Sequence, residues 1–121
     1  STARGLLPAE VSHADASANS ARTALLLAGL TQRPELLLPG TADLLHQQYR
    51  RTAMAPSLAL VEALRERGVP AVISGAGPTV LAFCTAATAP EVRGCGPSGW
   101  HARVLEVDSS GAQPVPATST R

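Results

Sequence analysis

The stretch Val72-Ile73-Ser74-Gly75-Ala76-Gly77-Pro78-Thr79-Val80-Leu81 decides how this chain is read. Two short apolar runs, Ala71 to Ile73 and Val80 to Cys84, flank it, and their length and β-branched content predict buried strands. The turn between them is built from the smallest residues. Glycine lacks a Cβ, so main chain here can come within hydrogen-bond distance of a ligand or of another loop. Spacing alone leaves two readings open: a tight connection whose glycines satisfy turn geometry, or a loop whose amides meet a ligand.

Outward from that turn, composition narrows the options. The 121 residues suit one domain, with a real but small core. All ten basic side chains are arginine, and the absence of lysine excludes a Walker-type phosphate loop, whose mechanism needs one. The formal charge of +1, with both signs interspersed, argues against a nucleic-acid or anionic-membrane footprint. Leu25 to Leu30 is the most apolar helix-like run and falls far short of a membrane span, which leaves the cytoplasm as the expected location. Cys84 and Cys95 have no metal-type spacing and are expected to be buried or idle thiols. The chain opens on Ser1 and enters a motif-like run at once, as a piece of a longer polypeptide would.

In chain order, Ser1 to Leu7 reads as an extended segment stopped by Pro8. Val11, Ala14, Ala18, Ala21, Leu25 and Ala28 recur in steps of three and four, predicting a helix with one buried stripe and Gly29 as its stop. Asp15, Asn19 and Arg22 share a neighbouring face, where a structural role competes with a ligand contact. Pro34 to Leu38 forms a helical turn closed by Pro39-Gly40. Thr41 then caps a second helix, with Asp43 in its first turn and Arg50 and Arg51 in its last. Pro56 and Ser57 open a third, with Leu60, Val61 and Leu64 inside, Glu62, Arg65, Glu66 and Arg67 outside, and Gly68 ending it. After the two strands come a short helix over Ala86 to Arg93, a link over Gly94 to Gly99, and a strand from Trp100 to Val107. A turn at Ser109 to Gly111 and a disordered tail close the chain. The pattern is α+β, with helices packed on one face of a mainly antiparallel sheet.

Five separated segments, STARGLLP, DASANSARTALL, DLLHQQYRRTAM, VISGAGPTVLAF and GWHARVLEVDSSGA, together resemble the C-terminal part of the homoserine kinases. These belong to the small-molecule kinase superfamily named for galactokinase, homoserine kinase, mevalonate kinase and phosphomevalonate kinase. The resemblance implies a C-terminal domain over residues 1–112 and a tail over 113–121. It also implies a longer enzyme in which ATP phosphorylates the side-chain hydroxyl of L-homoserine on the way to threonine. ATP and Mg2+ are then held mainly by an N-terminal lobe with a glycine- and serine-rich phosphate loop. No such loop occurs here, so these residues alone are expected to be inactive.

Carried over by position, the TAR segment makes Arg4, and the HxxYR segment makes Arg50, a candidate for the substrate carboxylate, whereas Arg51 has no counterpart. A planar guanidinium offers two parallel donors to a carboxylate, a fork that lysine cannot reproduce. His46 and Tyr49 are expected to position the helix. Ser74, Gly75, Ala76, Gly77, Pro78 and Thr79 match the superfamily's third motif and become the active-site glycine loop. One departure is Ala55, which intervenes between Met54 and Pro56 where the family commonly has proline directly after the methionine position. The implied partners are L-homoserine and ATP, without nucleic acid or membrane, and a homodimer in the full-length enzyme. No general base and no metal ligand is assigned; His13 and His101 are isolated. The rival readings are a non-catalytic amino-acid-binding or regulatory module, and a mevalonate-type kinase, which lacks the pairing of TAR with HxxYR.

Overall fold

The computed structural model describes residues 2–111, 113 and 114. Its elements are α1 (Thr2–Gly5), α2 (His13–Thr31), a 3-10 turn (Pro34–Leu36) running into α3 (Leu37–Gly40), a second 3-10 segment (Gln48–Ala53), α4 (Ala55–Glu66), β1 (Ala71–Ile73), β2 (Val80–Ala82) and α5 (Ala89–Gly94). The strands pair antiparallel in the register Ala71 with Ala82, Val72 with Leu81 and Ile73 with Val80. The α+β expectation therefore stands, with a sheet of two strands.

The core lies between α4 and the hairpin. Met54, Leu58, Val61, Leu64, Ala71 and Ile73 form one buried cluster, flanked by Leu60, Val80, Ala82 and Val92. Steps of three along α4 place Leu58, Val61 and Leu64 on one stripe, which the strand face covers. Pro56 sits in the first turn of α4, where its missing N–H costs nothing, so the intervening Ala55 simply becomes the first helical residue.

Several expectations are corrected. The opening segment is helical at Thr2–Gly5 rather than extended. In α2 the expected stripe holds only in part: Ala14 and Ala21 are exposed and Val11 precedes the helix, while Ala18, Leu25 and Ala28 are half-buried together with Asp15, Asn19, Arg22 and Leu26. Ser12 caps α2, its Oγ accepting from the Asp15 N–H at 3.0 Å and donating to Asp15 Oδ2 at 2.7 Å. Gly29 does not end this helix but lies buried inside it against Leu37. α3 can dock so closely because Gly40 has no side chain: a Cβ there would lie 2.6 Å from the Leu26 nitrogen.

Thr41 starts no helix. Its hydroxyl turns back to the Leu37 carbonyl at 2.7 Å, and residues 42–47 are irregular because the Asp43 carboxylate takes up their amides. Arg65 is not on a wet face. It reaches inward to Thr41 Oγ1 at 2.7 Å and the Leu38 carbonyl at 2.8 Å, tying α4 to the end of α3. Cys84 is exposed rather than buried, and Cys95 is half-buried, with both thiols free.

The short helix starts later than expected, at Ala89, behind a Thr85–Thr88 turn. Trp100 to Val107 forms no strand: it has no pairing partner among the described residues, and Leu105 and Val107 are 76% and 95% exposed. The tail expected over 113–121 falls, beyond Pro114, outside the described residues.

Leu58, 1% exposed, is the most enclosed large side chain of the cluster. Leu58→Ala is expected to cost about 3 kcal/mol by urea denaturation, a loss that a site able to collapse around the cavity would reduce to near 1.

Candidate functional site

The turn between the strands is held from inside and from below. The Ser74 N–H donates to the Thr79 carbonyl at 2.8 Å and the Gly77 N–H to the Ser74 carbonyl at 3.1 Å, so the two ends of the loop are closed on each other. Gly75 and Gly77 have φ of +58° and +80°, the left-handed region that side chains resist. A Cβ on Gly77 would also meet Met54 Sδ at 2.8 Å and Ile73 Cγ2 at 3.0 Å. The buried Ser57 hydroxyl, in the first turn of α4, donates to the Pro78 carbonyl at 2.6 Å. Core packing thus presses one side of the loop down and leaves Ser74, Gly75, Ala76, Pro78 and Thr79 exposed on the other.

Arg50 connects this loop to the start of the chain. Its Nη1 donates to the Gly75 carbonyl at 3.2 Å and its Nε donates to the Ala3 carbonyl at 3.2 Å. An arginine carries five N–H donors, so three remain for a ligand after those two bonds. Arg4, exposed, directly follows Ala3. The structure therefore brings Arg50 and the glycine loop into contact, with Arg4 one residue from the contact. Arg51 turns elsewhere, pairing with Glu62.

Beside Arg50 opens a pocket of about 480 Å³ lined by α2, the 41–50 segment and β1. Most of its polar groups are already engaged. Asn19 Oδ1 accepts from the Leu44 N–H at 3.0 Å, and Gln47 Oε1 accepts from the Ile73 N–H at 2.7 Å, closing the outer edge of β1. His46, expected as a positioning residue, lines the pocket with its Nδ1 2.9 Å from Asp43 Oδ1; Tyr49 is exposed and is not among the lining residues. Asp43 also accepts from the amides of Leu45, His46 and Gln47. Burial raises the Asp43 carboxyl, but the Gln47 amide, the His46 ring and the remaining amides outweigh it and hold the group below its ordinary 3.8.

Sequence reasoning missed Gln47 and Ser57, whose roles depend on which distant backbone group they meet. Asn19 and Arg22 carried a signal: polar side chains three apart on a helix otherwise rich in alanine and leucine. Among the described residues no group of three His, Cys, Asp or Glu side chains could hold a metal ion, and no helix is long and apolar enough to cross a membrane.

The sequence that builds this glycine turn and the pocket beside it matches the C-terminal domain of the small-molecule kinases. The chain belongs to the family described as GHMP kinases C terminal, which matches residues 22–101. It is 58% identical over 115 residues to a homoserine kinase of Streptomyces avermitilis, covering 95% of this chain and 38% of that protein. The same comparison with the homoserine kinase of Streptomyces coelicolor gives 57% over 115 residues, 95% of this chain and 37% of the relative. A homoserine kinase of Mycobacterium tuberculosis is 49% identical over 87 residues, 72% of this chain and 28% of the relative. The chain therefore spans little more than a third of the length of the Streptomyces relatives.

Gly77→Ala, strained and crowded, is expected to lose about 2 kcal/mol, whereas Gly75→Ala, with nothing near its Cβ, loses about 1 for its backbone angle alone. Equal losses by urea denaturation would contradict this placement. For Asp43 the lowered carboxyl stabilises the fold above the unfolded value and ceases to do so as pH falls through the folded one. Wild type should therefore exceed Asp43→Asn in stability at neutral pH, with the gap closing from about pH 4 downward; a gap independent of pH would refute the assignment.

Proposed function

We propose that this chain is the C-terminal part of a homoserine kinase, which phosphorylates the side-chain hydroxyl of L-homoserine with ATP and yields O-phospho-L-homoserine for threonine synthesis. The reading is supported by the identity to named homoserine kinases over most of the chain. The observation that carries it is Arg50, whose guanidinium spans from the segment bearing Arg4 to the glycine loop and keeps three N–H donors in hand.

Phosphoryl transfer asks a protein chiefly for positioning and charge neutralisation. In this proposal Arg4 and Arg50 clamp the substrate carboxylate, which fixes the direction in which the hydroxyl points. The loop Ser74–Thr79 forms the adjoining wall with its small side chains. The nucleotide supplies the phosphoryl group. ATP and Mg2+ are assigned mainly to an N-terminal lobe outside these residues, as the resemblance to the homoserine kinases implies. A cytoplasmic location and a homodimer in the full-length enzyme complete the proposal.

In the full-length enzyme, Arg4→Ala should raise the KM for homoserine about a hundredfold, on the order of 2 to 3 kcal/mol for a lost bidentate grip, and leave the KM for ATP nearly unchanged. Equal changes in both constants would refute the carboxylate role.

A further inference from the structure

The pocket beside Arg50 contains a buried polar atom without a partner among the described residues. Arg22, on the packed side of α2, has its Nη1 shielded from solvent and without a hydrogen-bond partner among the described residues. A buried charged donor left unpaired is among the more expensive features a fold can carry. No acid relieves it. The ion pairs among the described residues are Arg33–Glu35, His46–Asp43, Arg51–Glu62 and Arg67–Glu91, none of which involves Arg22, Arg50 or Arg65. Asp43, the acid lining the pocket, already receives three backbone amides and the His46 ring. A second positive charge adds to the imbalance: burial first, and then the charge of Arg22, hold the Arg65 guanidinium below its ordinary value.

A wall with Arg22 unpaired and Arg50 only partly committed, and with the charge of Arg65 behind it, is complementary to an oxyanion. We propose that Arg22 is an oxyanion-binding residue of this pocket, taking a carboxylate or phosphoryl oxygen of the bound substrate or product. Its guanidinium, neutralised only when that ligand is present, contributes to affinity at the expense of the empty fold's stability. The choice between the two oxygens rests on the kinase reading; the site itself does not.

The test uses the full-length protein, with Arg22→Met keeping the length of the side chain and Arg22→Lys keeping its charge. Because the empty fold leaves Nη1 unpaired, Arg22→Met should melt at or above the wild-type temperature without ligand. Its affinity by calorimetry should fall about tenfold or more, with Arg22→Lys between the two. A loss for L-homoserine identifies the carboxylate, and a loss confined to O-phospho-L-homoserine identifies the phosphoryl oxygen. If wild type binds neither amino acid, the kinase reading fails while inorganic phosphate still judges the site. Phosphate should then raise the melting temperature of wild type and not of Arg22→Met. Wild-type affinities for all three ligands in Arg22→Met, or a lower melting temperature of the empty variant with unchanged binding, would overturn the proposal.

Discussion

The seating of Gly77 on Met54, with Ser57 holding the Pro78 carbonyl, is the constraint from which the site's geometry follows. It transmits the rigidity of the α4–hairpin core into a loop that would otherwise be a mobile surface turn. The same core fixes Met54 as the residue preceding α4, and Met54 in turn ends the 3-10 segment that carries Arg50. Loop and arginine are thus placed by one packed unit, which is why Arg50 can meet the Gly75 carbonyl at 3.2 Å. Pre-positioned donors are what the proposed phosphoryl transfer needs.

A second layer of ties holds the pocket's walls together with side chains rather than secondary structure. Asn19 fixes α2 to the 41–47 segment, Gln47 fixes that segment to β1, and Arg65 fixes α4 to α3. Each bond joins residues distant in sequence, so the pocket exists only in the folded domain. Asp43 absorbs three amides that a continuous helix would have satisfied, trading regular structure for an irregular wall.

What could be read in advance follows from whether the signal was local. The glycine turn and both strands were legible because β-branched runs and a Gly-Ala-Gly-Pro connection determine one another over ten residues. α4 was legible from Val61 and Leu64, although Leu58 was overlooked because it sits near the helix start. Arg65 was misread because charge is an imperfect guide to exposure when a long stem can bury and its head can find carbonyls. The helix expected from Thr41 failed on competition: Asp43 offered its own acceptors to the amides. Trp100 to Val107 alternates as a strand should, but a strand's hydrogen bonds belong to its neighbour, and no described segment pairs with it. The carry-over of Arg50 and the loop came from family resemblance, and periodicity alone would not have paired them.

The most direct test is a crystal structure of the full-length enzyme with L-homoserine bound. The amino acid's carboxylate oxygens are expected within hydrogen-bond distance, about 3 Å, of the Arg50 guanidinium, with the ligand against the Ser74–Thr79 loop. Homoserine seated away from that loop, with Arg50 still occupied only by the Ala3 and Gly75 carbonyls, would contradict that expectation.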